Sequence, residues 1–173
     1  MTRAQFEQEV RINQEPLRRF LLNLCSGNSA LSDDIAQEAF IKAYMNIGSF
    51  AGMSKFSTWL FRIAYNCFCD HKRKTERFDS VEISNTLHYS MDDTDGRFKN
   101  QELYMALGRL GENEKTCILL FYMEDKSIKE ISAITGIKEN TVKSHLSRAK
   151  TNISEYLKHT GHERSCNKEV FYR

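Results

Sequence analysis

The sequence predicts an all-α protein made of two small helical domains, and three observations predict it. Apolar residues recur at spacings of three and four through most of the 173 residues, the signature of helices with one buried face. Nowhere is there a run of alternating β-branched residues that would mark a strand. Between residues 77 and 100 the periodicity lapses into an acidic, Ser/Thr/Asp-rich stretch, which reads as a flexible linker between a block at 5–76 and a second at 101–158, with a polar tail at 159–173.

In chain order, a first helix is expected from about Arg3 to Asn13. Pro16 suits the first turn of a second, where its missing N–H has no partner to lose, and Leu17, Phe20, Leu21 and Leu24 follow before Gly27-Asn28 stops it. Ser32-Asp33-Asp34 reads as the cap of a third helix with the stripe Ile35, Ala36, Ala39, Phe40, Ala43 and Ile47. After a loop from Gly48 to Ser54, Ser57-Thr58 opens a fourth, with Trp59, Leu60, Ile63, Ala64, Cys67 and Phe68 inward and Lys72-Arg73-Lys74 at its end. The linker has room for a short helix around Val81 to Leu87. Leu103, Ala106, Leu107 and Leu110 restore the pattern, Cys117, Ile118, Leu120 and Phe121 continue it, and two short helices close the second domain.

A net charge of +2 argues neither for nor against a nucleic-acid partner, but its distribution is informative. Arg62, Lys72, Arg73, Lys74 and Arg77 are offset only by Asp70 and Glu76; Lys138, Lys143, Arg148, Lys150 and Lys158 only by Glu139 and Glu155. Between these clusters lie Asp79, Glu82, Asp92, Asp93 and Asp95. Two basic blocks joined by an acidic connector suit a protein that touches a polyanion at two places, although either block alone would pass for a solvated helix face. No apolar run approaches the roughly 20 residues that span a bilayer, and Met1 to Val10 is polar, so a cytoplasmic chain without membrane insertion is expected.

The five cysteines, an odd number without framework spacing, read as reduced thiols. Cys67 and His71 share a helix face, but Cys69 points about 200° away from Cys67; His159, His162 and Cys166 would need an ordered tail across Gly161. No metal and no cofactor is expected. With no phosphate-binding glycine loop, His-Glu-x-x-His or nucleophile elbow, neither is catalysis.

The second domain carries the pattern of a helix-turn-helix. Ile128, Ile131 and Ile134 face inward from a helix over Ser127 to Thr135, Gly136 supplies the positive φ of the turn, and Ile137 plugs the corner. In the next helix Val142, Leu146, Ala149 and Ile153 pack inward. Asn140, Thr141, Lys143, Ser144, Ser147 and Arg148 are left facing outward, with amide and hydroxyls for base edges and cations for phosphates. The bland alternative is an antiparallel helix pair with a solvated face.

Asp33-Asp34-Ile35-Ala36-Gln37-Glu38-Ala39-Phe40-Ile41-Lys42-Ala43-Tyr44 resembles the core-binding helix of sigma region two, and Phe56 to Asn66, FSTWLFRIAYN, resembles the promoter-melting helix after it. Leu110-Gly111-Glu112-Asn113-Glu114-Lys115 and Gly136-Ile137 through Thr141-Val142-Lys143-Ser144 resemble sigma region four. With regions one and three not visible, the chain is similar to sigma factors of the extracytoplasmic-function (ECF) type over nearly all of positions 5–157. The resemblance implies an alternative sigma factor that carries core RNA polymerase to promoter DNA, commonly restrained by an anti-sigma factor. It implies polymerase binding through Asp34, Gln37, Glu38 and Lys42, and −35 recognition by the outward face of the helix-turn-helix. At the −10 element, Ser54, Lys55 and Phe56 are placed for a flipped-out base, and Trp59, Arg62, Asn66, Asp70 and Arg73 for the displaced strand. Unstacking duplex DNA costs about 1.4 kcal/mol per base-pair step, which contacts to exposed bases offset. Trp59 also reads as a core tryptophan, and both readings stand at this point. Gly111 departs from the family, which has proline there. Two competitors remain: a LuxR-type regulator, which Glu139 to Leu146 also resembles but whose N-terminal half would not look like Asp33 to Lys74, and a helical adaptor that binds no DNA.

Overall fold

The computed structural model describes residues 1–78 and 101–159, and every regular element among them is helical. The first module comprises α1 (Arg3–Leu24), α2 (Ser29–Met45), a 3-10 turn (Ile47–Ser49) and α3 (Phe56–Phe78). The second comprises α4 (Gln101–Gly108), α5 (Glu112–Ile118), a π-helical turn (Leu119–Met123), α6 (Ile128–Thr135) and α7 (Glu139–His159). The short helix expected at Val81 to Leu87, the acidic residues of the linker, and His162 and Cys166 lie outside the described residues.

Three expectations about the helices are corrected: α7, expected to be short, runs for 21 residues, and two boundaries differ. The first two expected helices are one, α1, with Pro16 in its interior. A mid-helix proline costs about 3 kcal/mol, but Phe6, Leu17, Phe20, Leu21 and Leu24 bury one continuous face of α1, and burial of each large side chain returns about 1.5–3 kcal/mol. The helix is also closed at its start by a capping box, Thr2 accepting from the Gln5 amide and Gln5 from that of Thr2. The second boundary is at α2, whose cap is Asn28, accepting from the Leu31 amide at 3.0 Å, rather than Ser32. Ser32 is buried inside the helix and donates to the Ser29 carbonyl.

Alanines 36, 39 and 43 let α2 approach α1 and α3 closely around Ile35, Phe20, Leu60, Phe61 and Cys67. In the second module Ile131 and Ile134 of α6 pack with Val142, Leu146, Ala149 and Ile153 of α7, all buried. The turn between them has the expected form: Gly136 sits at φ 76° and its N–H closes α6 on the Ser132 carbonyl. At the other end of α6, Ser127 and Glu130 form a second capping box.

The two modules, expected to hang separately on a linker, pack against each other, α6 on α3 and the π-helical turn on α1. Arg19 of α1 bonds Glu124, whose side chain is only 3% exposed, at 3.0 Å. Burial holds the Glu124 carboxyl above its ordinary range, with Arg19 opposing. Lys115 of α5, 6% exposed, donates to the Leu24 carbonyl at 3.3 Å and to Ser26 Oγ at 2.8 Å. It thereby satisfies the end of α1, where carbonyls lack partners and the helix dipole is negative. Burial still pushes Lys115 down to about 8.

Candidate functional site

On α2 the side chains of Asp34 and Gln37 are exposed, while Glu38 and Lys42 pair with each other at 2.7 Å. His71 of α3 reaches the other Glu38 oxygen at 2.9 Å, tying the two helices together. The Lys42 hydrogen bond and, less strongly, His71 hold the Glu38 carboxyl below its ordinary range against its partial burial; Glu38 in turn raises Lys42. Beside Asp34 and Gln37, at helical spacing, stand Ile41 and Met45, 60% and 77% exposed, and Tyr44. The face is thus a mixed apolar and polar strip, typical of a protein-binding surface. Only its polar members stand out in the sequence. The apolar ones were detectable as residues out of phase with the buried stripe.

The start of α3 is an aromatic cluster. Phe56 is buried, with its ring centroid 5.7 Å from Phe6 and from Phe50 and 5.6 Å from Trp59. Trp59, half-buried, lies 5.2 Å from Phe50. Both residues therefore help build the core under the loop, and Phe56 offers no open ring face. Ser54 and Lys55 are exposed, with Lys55 paired to Glu130 of α6 at 3.1 Å. Further along, Arg62, Asn66 and Arg73 form one exposed strip, and Asp70 bonds Arg73 at 2.9 Å. The loop also borders a concavity of about 470 Å³ lined by Gln5, Gln8, Glu9, Phe50 and Gly52. No local pattern in the sequence signals this concavity, because it joins α1 to a loop some 40 residues downstream.

On α7, five of the six expected residues, Asn140, Thr141, Ser144, Ser147 and Arg148, line one open concavity of about 650 Å³. Lys143 is exposed on the same helix. Arg148 is held by Glu114 of α5 at 3.5 Å and by His145 at 3.2 Å, so its guanidinium is fixed at the edge of the concavity. Among the described residues no group of three metal-ligating side chains converges, and no helix is long and apolar enough to cross a membrane.

The description "Sigma-70 region 2" matches residues 10–78 and "Sigma-70, region 4" residues 100–153. Together the two matches define a two-module transcription initiation factor of the sigma-70 class. Bacillus subtilis "ECF RNA polymerase sigma factor SigW" is 34% identical over 146 residues, covering 76% of this chain and 78% of the relative. Mycobacterium tuberculosis "ECF RNA polymerase sigma factor SigM" is 28% identical over 90% of this chain and 78% of its own. The sigma factor RpoE of Bartonella quintana, solved in complex with the anti-sigma factor NepR, superposes with a TM-score of 0.75 at 30% identity, over 89% of this chain and 97% of that one. CnrH, solved with the cytosolic domain of CnrY, shares the fold at a TM-score of 0.70 and 22% identity, over 91% and 90% of the two chains. The chain belongs to the ECF RNA polymerase sigma factors, alternative sigma factors that direct RNA polymerase to promoters and leave catalysis to the polymerase.

Proposed function

We propose that residues 5–76 bind core RNA polymerase and the −10 element and that residues 101–158 read the −35 element, in the cytoplasm. The observation that carries this reading is the presence of two separate exposed polar helix faces, one on α3 and one on α7, in a single chain. Asp34, Gln37, Glu38 and Lys42 meet the polymerase, with Ile41, Tyr44 and Met45 adding apolar area to the same strip. Arg62, Asn66 and Arg73 hold the displaced strand, with Asp70 orienting Arg73 and with Trp59 and Phe56 stiffening the loop that presents Ser54 and Lys55. Asn140, Thr141, Ser144 and Ser147 reach base edges from α7, and Lys143 and Arg148 reach phosphates. An anti-sigma factor is the expected restraint, since the Bartonella relative is seen with one.

The test is reconstitution of the full chain with bacterial core polymerase on linear genomic fragments, followed by mapping of transcript starts and permanganate footprinting. Starts sharing two upstream elements, with thymines reactive only when the chain is present, are expected. Starts that share no pair of upstream elements, or thymines equally reactive without the chain, would contradict the assignment of the two DNA faces.

A further inference from the structure

We infer that His71, on the helix that carries the proposed −10 face, is a positioning residue for polymerase binding. It reaches across to α2 and holds Glu38, and through Glu38 also Lys42, in the arrangement that the polymerase meets. The inference rests on the assignment of Glu38 and Lys42 to the polymerase proposed above.

The contact has three members and one carboxylate. Glu38 and Lys42 stand four residues apart on α2 with the acid first, the favourable order for a helix pair, and Lys42 Nζ lies 2.7 Å from Glu38 Oε1. A partly exposed pair of this kind is weak and leaves both side chains free to change rotamer. The third member comes from a different helix. His71 Nε2 lies 2.9 Å from Oε2 of the same carboxylate, so each Glu38 oxygen has its own partner. The Lys42 hydrogen bond and, less strongly, His71 hold the Glu38 carboxyl below its ordinary range. Ionised, Glu38 only accepts hydrogen bonds, and His71 must therefore carry a hydrogen on Nε2 whatever the charge of the ring.

The joint beneath is stiff. Ala36, Ala39 and Ala43 are fully buried on α2, which packs against α3, so the backbones come close and little side-chain length separates His71 from Glu38. Cys67, one turn before His71, is also buried and marks the side of α3 turned towards α2. Asn66 lies about 140° around the axis from His71, on the exposed strip where Asp70 bonds Arg73 at 2.9 Å. One helix thus serves two surfaces: it presents the polar strip to solvent and, from another side, braces the strip of α2. A side chain already fixed in its bound rotamer loses less freedom on association, which is how a brace raises affinity.

The test measures the affinity of the full chain for bacterial core polymerase, with the wild type compared with variants at position 71. His71→Leu keeps the bulk and removes the donor. Binding about three- to tenfold weaker is expected, from a chain that circular dichroism shows to be folded. His71→Gln places an amide nitrogen near the position of Nε2 and should restore the affinity. His71→Asn, whose shorter amide matches Nδ1, should not. Because His71 is itself partly exposed, a direct contact with polymerase is separated by a double-mutant cycle: in a Glu38→Ala background, His71→Leu should cost nothing further. With core polymerase in saturating excess, permanganate reactivity of melted thymines should match the wild type's, since the brace acts on polymerase binding. His71→Leu binding as tightly as the wild type, His71→Gln binding no better than His71→Leu, or losses that add in the Glu38→Ala background overturn the inference. A wild type that fails to bind core, or Glu38→Ala alone binding as the wild type does, contradicts the underlying assignment instead, and the inference falls with it.

Discussion

Helices α3 and α7 make an instructive pair. They are similar in length, 23 and 21 residues, and each presents a polar strip to solvent, yet they are built on opposite plans. α7 fully buries Val142, Leu146, Ala149 and Ile153, with Tyr156 and Leu157 partly buried against the core, and leaves Asn140, Thr141, Lys143, Ser144, Ser147 and Arg148 exposed. α3 is clasped by α2 and α1 on one side and by α6 on another, burying Phe56, Thr58, Leu60, Phe61, Ala64, Tyr65, Cys67 and Phe68. A helix that reads duplex DNA can be a simple rod lying in a groove. One that holds melted DNA, the role proposed for α3, needs a rigid platform, and at the start of α3 the packed rings of Phe6, Phe50, Phe56 and Trp59 supply it.

That contrast can be broken most sharply at Phe61, which lies in the first module's core 5.4 Å from Phe20 while also lying under Lys126 of the second. Phe61→Ala should destabilise the chain by about 3–5 kcal/mol in denaturant unfolding followed by circular dichroism, and should loosen the contact between modules as well. Gly136→Ala acts on α7's side alone. Forcing a side chain to φ 76° costs about 1–2 kcal/mol, and the same unfolding assay should register it in the second module without altering the first.

The buried groups between modules give a pH signature. Cys25 and Cys117 are both pushed up to about 11 by burial, and Tyr65 is raised as well, so all three hold protons that the unfolded chain has released. Stability should therefore fall as pH rises through 9 to 11. Lys115, at about 8 against an ordinary 10.5, binds fewer protons folded than unfolded across that interval and works the other way. Lys115→Met lacks this opposing contribution, so its stability should decline more steeply than the wild type's above pH 8. Parallel curves would show that Lys115 is not buried in solution.

Smaller effects separate the two proposed DNA faces. Asn66→Ala should reduce permanganate reactivity of melted thymines more than it reduces closed-complex formation. Arg148→Ala should lower the slope of log affinity against log salt by about one, an effect Asn66→Ala should not share. Smallest of all, Glu114→Gln frees Arg148 from its 3.5 Å partner and should tighten −35 binding by no more than about 1 kcal/mol.

The same contrast explains what was legible in the sequence. The helix-turn-helix could be read down to single residues because local rules agree there: glycine where φ is positive, an apolar plug after it, and apolar residues at strict helical spacing. The break expected inside α1 and the cap of α2 were misread because Pro16 and Ser32-Asp33-Asp34 are strong local signals that tertiary burial and Asn28 override. Phe56 and Trp59 could not be assigned between core and contact, since a platform under a DNA site uses the same aromatic residues for both. The contact between modules was invisible: Lys55 and Glu130 are ordinary surface residues in sequence, and only the fold brings them within 3.1 Å.

Competition for core polymerase tests the central claim most directly. The full chain is titrated against a labelled sigma factor already bound to core enzyme, and displacement is followed by anisotropy. Stoichiometric displacement by the wild type, weakened when Ile41 and Gln37 on α2 are replaced by aspartate and alanine, is the predicted result. If the wild type displaces nothing at concentrations where unlabelled competitor sigma does, the assignment of the first module to the polymerase is contradicted.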